Sequence, residues 1–137
     1  MKKLVLLIAL ILLLGSAFGQ SLRKGNIVGV HAMTITLNQG VTMEQYANYL
    51  IKTCIPEFDK ARPGWKYFIT KGIKGENVNS IGFMIVIKSK EDYNKYFNVD
   101  GTPNELAIKA NEKVKPFTDE LNKLGTWKST YTDWEVQ

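Results

Sequence analysis

The chain has few of the residues that form covalent or metal cross-links. Among its 137 residues are one cysteine, Cys54, and one histidine, His31. A lone cysteine cannot close a disulfide within the chain, and these two residues cannot supply the ligand set of a structural zinc site. We therefore expect the fold to depend on its hydrophobic core, and we expect no metal site.

Long apolar runs are also scarce. The longest, residues 4–14, follows Lys2 and Lys3 and precedes Ala17 and Gly19. A basic start, an apolar block and a small-x-small pattern are the three parts of a secretory signal peptide. The block is too short for a membrane span, which needs roughly 20 apolar residues. We therefore expect cleavage after Gly19.

Charge of one sign is nowhere concentrated. The formal net charge is +5, but the basic residues are interleaved with acidic ones along the chain. This distribution does not favour binding to nucleic acid or to an anionic membrane. We predict that residues 1–19 are a signal peptide and that residues 20–137 form one domain, which is periplasmic or secreted and has no membrane attachment.

The interior of residues 80–89 is an unbroken apolar run. It is rich in β-branched residues, free of proline and too short for an ordinary helix. These properties favour a strand that is covered on both faces. Helices can cover one face, so the other face needs a second cover.

Three further segments, residues 26–37, 65–70 and 126–136, have the alternation or the aromatic content of strands. Both faces of the first segment are largely apolar. The side chains that share one of these faces are Ile27, Gly29, His31, Met33, Ile35 and Leu37.

Two segments have the apolar spacing of amphipathic helices. In the first, Thr42 and Gln45 form a capping box, and Pro56 is expected to kink the helix or to end it before a short turn through Lys60. Cys54 falls within the apolar stripe, so we expect it to be unreactive packing. The predicted stripe is Met43, Tyr46, Ala47, Leu50, Cys54 and Phe58.

The second helix is expected to start with Thr102 as its cap and Pro103 at its first position, and to stop at Gly125. Pro116 is expected to kink it. A short helix over residues 90–97 should precede it. The predicted buried stripe of the long helix is Leu106, Ala110, Val114, Phe117, Leu121 and Leu124.

The element order is strand, helix, strand, strand, helix, strand. It predicts an α+β fold, the ferredoxin-like βαββαβ sandwich, in which two main helices lie on one face of a four-stranded antiparallel sheet. The first, third and fourth strands carry apolar groups on both faces, so a monomer would expose an unusually large apolar patch. We therefore expect a homodimer in which two copies pack sheet against sheet.

Several motifs carry a resemblance that covers nearly all of residues 20–137. They are Thr42 to Gln45, Ile55-Pro56-Glu57, Lys71-Gly72 with Gly75-Glu76-Asn77, Lys95-Tyr96-Phe97, and Leu124-Gly125-Thr126 leading into Tyr131-Thr132-Asp133-Trp134. In these motifs the chain resembles the dimeric α/β-barrel superfamily, which includes antibiotic-biosynthesis-monooxygenase-like proteins. Within it, the chain is similar to small exported, uncharacterised bacterial proteins.

The resemblance implies a fold and a cavity, but not one activity. In the superfamily, two ferredoxin-like protomers enclose a cavity between sheet and helices, which serves cofactor-free oxygenation, haem degradation, peroxidase chemistry or ligand binding. Haem-degrading members resemble one another in an Asn, Trp and His set with the histidine on a helix. Here His31 is predicted on a strand, so no catalytic residue carries over by motif.

His31 is the candidate catalytic residue. Its unperturbed pKa lies near neutrality, so on a strand facing a cavity it could act as a general base or a haem ligand. The alternative, which we favour, is a buried neutral imidazole with a hydrogen-bond partner. Asp133 and Glu135 share a face with Tyr131 if the last strand is regular, and a carboxylate base there is a weaker candidate than a solvated pair.

Aromatic residues are the candidate ligand-binding residues. They could line a pocket for a flat ligand, or they could form the dimer interface, where aromatics also concentrate. The residues concerned are Trp65, Tyr67, Tyr131 and Trp134, with Trp127 as a further member of the group.

Two functions follow from these patterns. The first is an exported homodimer that binds a small apolar or aromatic ligand in the cavity beside the sheet. The alternative is a cofactor-independent monooxygenase-like or haem-handling enzyme that uses His31, although haem is not the favoured cofactor. RNA-recognition domains share the strand and helix order, but residues 81–85 lack the basic residue and the second aromatic of their signature, so we expect no nucleic acid.

Overall fold

The first strand of the chain lies in the interior of the sheet. The computed structural model describes residues 21–78 and 80–137, so the predicted signal peptide lies outside the described residues. The elements in chain order are β1 (Ile27–Leu37), α1 (Met43–Tyr49), a π-helical segment (Leu50–Cys54), α2 (Ile55–Ala61), β2 (Trp65–Lys71), β3 (Ile81–Ile87), α3 (Lys90–Asn94), α4 (Glu105–Leu124) and β4 (Gly125–Glu135).

The strand order is β2-β3-β1-β4, and every neighbouring pair is antiparallel. This is the predicted ferredoxin-like fold. Strands β1 and β3 occupy the interior of the sheet, so each pairs with a strand on both sides. No helix within residues 21–78 or 80–137 has the length and apolar character needed to cross a membrane.

The first helical region begins as its sequence predicts. The Thr42 hydroxyl accepts from the Gln45 amide at 3.2 Å, and the Gln45 side-chain oxygen accepts from the Thr42 amide at 2.8 Å. Pro56 has no amide hydrogen to donate to the preceding turn, and the chain widens there: the Ile55 amide donates to the Leu50 carbonyl, five residues back. The helix therefore widens at the proline and continues in α2.

The predicted cap of the long helix was wrong. Asn104, not Thr102, is the cap, and its side-chain oxygen accepts from the amides of Leu106 at 3.0 Å and Ala107 at 3.1 Å. The Thr102 hydroxyl donates to the Asp100 carboxylate at 2.6 Å. Helix α4 consequently starts later than expected, and Ala107 is buried whereas Leu106 is 48% exposed.

The helix α4 ends at Gly125, as predicted, but for a different reason. The backbone there is extended and leads straight into β4. A Cβ atom at this position would lie 2.7 Å from the Thr36 carbonyl oxygen and 3.1 Å from the Leu37 Cα atom. Glycine is therefore required by the close approach of β1. Pro116 lies inside α4, which continues past it.

The helices cover one face of the sheet and form the core with it. One buried cluster surrounds Trp65, Tyr67 and Ile87. The second joins Tyr46, Leu50, Cys54 and Leu121. Cys54 is fully buried, and burial raises the pKa of its thiol to about 11. Its place in the core agrees with the predicted apolar stripe.

The opposite face of the sheet is open. Val30, Phe68 and Trp134 lie on it and are 48%, 43% and 62% exposed. The register places Val30 beside Met84 on β3 and beside Thr132 on β4. Among the described residues, helices cover one face of the sheet only, although the sequence is apolar on both faces.

Candidate functional site

A cavity of about 320 Å³ lies between the covered face of the sheet and the helices. Most of its wall is apolar. The aromatic members of the wall are Phe58, Trp65, Tyr67, Phe83 and Trp127, and the aliphatic members with methionine are Met33, Leu50, Ile85, Val114 and Leu121. Four further side chains add the polar groups: His31, Arg62, Asn111 and Thr118.

Register explains how the sheet forms the floor. Tyr67 pairs with Ile85, and Phe83 pairs with His31, so side chains from β2, β3 and β1 stand in adjacent rows on the same face. The helix α4 forms the roof. Its lining residues recur every three or four positions and so share one helix face. They are Asn111, Val114, Thr118 and Leu121.

His31 lies on β1, as predicted, and borders the cavity. Its Nδ1 atom is 3.4 Å from the Ser129 hydroxyl oxygen. One face of the imidazole stacks on Tyr131, with ring centroids 4.8 Å apart, and Phe83 meets it edge-on at 5.9 Å. Burial lowers the pKa of His31 below 6.5, while the Asp133 carboxylate opposes that shift. The shift favours the neutral imidazole, which can accept a proton.

A glycine near the start of β1 makes room for that carboxylate. A Cβ atom on Gly29 would lie 2.6 Å from Asp133 Oδ1 and 3.6 Å from His31 Nε2. The carboxylate and the imidazole thus approach the same point above the glycine. The other carboxylate oxygen accepts from the Tyr93 hydroxyl at 3.3 Å. Burial, together with Asp133, raises the pKa of Tyr93.

Arg62 provides the cation of the cavity, and our sequence reasoning missed it. Its guanidinium donates to the Tyr67 hydroxyl at 3.4 Å and to the side-chain oxygen of Asn111. The same group lies over the rings of Trp65 at 5.5 Å and Tyr96 at 5.8 Å. Burial raises the pKa of Tyr67 to about 12, although Arg62 opposes the shift.

The predicted ligand-binding residues divide between three places. Trp65 and Tyr67 line the cavity with His31, and each is 6% exposed. Tyr131 stacks on the imidazole from outside and is 65% exposed. Trp134 pairs with Val28 and lies on the opposite, open face of the sheet, so it does not line this cavity. A binding role for any of them stays a prediction.

The polar groups and the volume of the cavity indicate which ligands it suits. No set of three His, Cys, Asp or Glu residues in the described part of the chain is placed to hold a metal ion. The cavity, at about 320 Å³, is roughly twice the ~150 Å³ of a protein cavity that holds benzene. That space suits one or two fused rings.

Comparison with known proteins identifies the fold. No protein-family model matches the sequence, and no curated protein sequence matches it. Among solved structures, SnoaB, a cofactor-independent oxygenase from Streptomyces nogalater, aligns over 82% of this chain and 94% of its own, with 13% identity and a TM-score of 0.50. A NIPSNAP family protein from Agrobacterium tumefaciens aligns over 87% and 92%, with 16% identity and a TM-score of 0.51. The predicted resemblance is confirmed at the level of the fold.

Proposed function

We propose that this protein binds a small, mainly aromatic ligand in the cavity between the sheet and α4. The observation that carries the proposal is the composition of the cavity wall. Ten of the side chains named above are apolar or aromatic, and four polar ones are set among them. Pockets of this kind gain affinity from apolar burial and gain orientation from the few polar groups.

Filling the cavity tests this proposal. Val114 is 6% exposed and lies on the roof, so Val114→Phe places a ring in the ligand volume. Val99→Phe is the matched control, because Val99 is fully exposed outside the cavity. Calorimetric titration with 2-naphthylmethanol should show binding to the wild type and the control, and a loss of at least tenfold in Val114→Phe. Equal affinities in all three proteins would refute the proposal.

We further propose that the open face of the sheet is covered by a second copy of the chain. The centre of the open face is apolar. The charged side chains on this face, Lys66 and Lys128, come from the two edge strands β2 and β4. A two-fold arrangement buries the same patch on both copies, so one surface supplies both halves of the interface.

Charge placed on that patch tests the dimer. Val30 on the open face and Leu106 on α4 are equally exposed, at 48% each. Native mass spectrometry at micromolar concentration should give a dimer for the wild type and for Leu106→Lys, but a monomer for Val30→Lys. A monomeric wild type, or a dimer that survives Val30→Lys, would contradict the assembly.

A second candidate function is an enzyme in which His31 removes a proton from the ligand. The specific observation in its favour is the position of the His31 imidazole, which borders the cavity and lies between Tyr131 and Phe83. The fold is shared with an oxygenase described as cofactor-independent, which supplies an assay: oxygen uptake with electron-rich phenols. Turnover that is lost in His31→Asn, with ligand affinity retained, would support the enzyme; no turnover by the wild type would leave binding as the function.

We also propose that the chain is exported and cleaved after Gly19. The basic start and the apolar block of residues 4–14 support this. Intact-mass measurement on protein from the producing cell should give the mass of residues 20–137. A mass that retains residues 1–19 would refute it.

A further inference from the structure

Arg62 brings a positive charge to the cavity and forms no ion pair with the carboxylates of the described residues. The ion pairs of residues 21–78 and 80–137 all involve lysine, and none includes Arg62. A guanidinium has five N–H donors, whereas the two partners found here, Tyr67 and Asn111, are both neutral. Donors are therefore left for a ligand.

Two acidic residues near this end of the cavity, Asp59 and Asp92, form ion pairs with lysines. The Asp59 carboxylate accepts from the Tyr67 amide, but its ion pair is with Lys66 at 2.7 Å. The Asp92 backbone carbonyl accepts from the Trp65 indole, while its carboxylate pairs with Lys95 at 2.6 Å. Each of these two carboxylates is therefore ion-paired with a lysine and not with the guanidinium.

The surroundings of Arg62 hold the guanidinium in a fixed plane. The ring of Trp65 lies 5.5 Å from its central carbon, and Tyr96 lies at 5.8 Å. Asn111 accepts from Arg62 through its side-chain oxygen, so its NH₂ group is turned away from the guanidinium and can donate to the same ligand. A planar fork with an adjacent amide donor matches a carboxylate, which accepts two parallel hydrogen bonds.

We propose that the ligand is an aromatic carboxylate, with its acid group held by Arg62 and Asn111 and its ring among Trp65, Tyr67 and Phe83. This inference rests on the proposed function, because it names the ligand class of the same cavity. The volume of about 320 Å³ accommodates one or two fused rings beside the acid group. An uncharged ring of the same size fits the walls but leaves the guanidinium without its anion.

Two probes that differ in charge separate this inference from the proposed function. The probes are 2-naphthoate and 2-naphthylmethanol, which share a ring system, and the assay is calorimetric titration. Charge-assisted hydrogen bonds of this kind correspond to about tenfold to hundredfold in affinity. We expect naphthoate to bind the wild type at least tenfold more tightly than the alcohol. Arg62→Gln should remove that advantage and change the affinity for the alcohol less than about threefold.

The chain offers a matched control, since Arg23 is its only other arginine and is exposed outside the cavity. Arg23→Gln should leave both affinities unchanged. Naphthoate and the alcohol binding equally well to the wild type, or an equal loss of both in Arg62→Gln, would overturn the carboxylate assignment while cavity binding stands. Failure of both probes to bind the wild type would overturn both proposals.

A salt titration of the wild type keeps the test independent of folding in the variant. Raising NaCl from 50 mM to 500 mM should weaken naphthoate binding severalfold and leave alcohol binding unchanged, because salt screens only the charged contact. Salt-independent binding of naphthoate would overturn the assignment even if Arg62→Gln does not fold.

Discussion

The imidazole of His31 and the phenol ring of Tyr131 stack across β1 and β4, with centroids 4.8 Å apart and 13° between their planes. The two residues are register partners, and Tyr131 is 65% exposed. Tyr131 therefore covers one face of the imidazole from the solvent side, while the ring borders the cavity on the other. Burial lowers the pKa of this one histidine, and the nearby Asp133 carboxylate opposes the shift.

The stability of the protein should depend on pH through His31. Burial places the folded-state pKa of His31 below its unfolded value of 6.5. As the pH falls through 6.5, the unfolded chain binds more protons than the folded chain, so the free energy of unfolding decreases. Urea denaturation at pH 7.5 and pH 5.5 measures this change. The free energy of unfolding should decrease more between the two pH values for the wild type than for His31→Asn. Equal losses in the two proteins would contradict this account.

Removing the influence of Asp133 should lower the pKa of His31 further. Asp133→Asn deletes the charge, and Gly29→Ala puts a methyl group where the carboxylate lies, 2.6 Å from Oδ1, so the side chain has to move away. Proton NMR of untagged protein measures the pKa of His31 without ambiguity, because the chain has one histidine. His31 should titrate at lower pH in both variants than in the wild type. An unchanged titration in Asp133→Asn would show that the carboxylate does not act on the imidazole.

The cap of α4 gives a stability prediction. Asn104 satisfies the amides of both Leu106 and Ala107, so Asn104→Ala should lower the free energy of unfolding by about 1 kcal/mol. Thr102→Ala removes two side-chain hydrogen bonds of an exposed loop, to Asp100 and from Asn98, but no contact with a helix amide, and should cost less. Urea denaturation of the two variants measures this order. A larger loss for Thr102→Ala would place the cap where the sequence motif put it.

Cys54 should resist modification in the folded protein. It is fully buried, and its thiol pKa of about 11 leaves little thiolate at pH 8. Val99→Cys, in a Cys54→Ala background, supplies an exposed cysteine for comparison. Iodoacetamide at pH 8 should alkylate the introduced cysteine promptly and Cys54 only after urea is added. Equal alkylation rates in native conditions would contradict the burial.

Local patterns were enough to predict the fold and much of the first helix. The alternation of β1 placed Ile27, His31 and Met33 on one face, and that face is the one the helices cover. The capping box at Thr42 forms because both of its partners lie within one turn. The cap at Thr102 failed because the Thr102 hydroxyl is engaged within its own loop, where it accepts from Asn98 and donates to Asp100.

The site was harder to predict because its members are distant in sequence. Arg62 and Asn111 are 49 residues apart and meet only when α4 crosses the sheet. Tyr131 and Trp134 were grouped on their aromatic character, although a spacing of three along a strand puts them on opposite faces. The alternation of side chains along a strand could have shown that Tyr131 and Trp134 lie on different faces. No local pattern could have shown that Arg62 contacts Asn111.

The location of a bound ring tests the central claim most directly. Methyl-labelled protein, titrated with 2-naphthylmethanol and observed by NMR, reports every apolar surface at once. We predict shift changes and ring contacts at the cavity methyl groups of Val114, Leu50 and Ile85, and none at Val30 on the open face or at the exposed Val99. Changes confined to Val30, or spread evenly over all five residues, would contradict a ligand site between the sheet and α4.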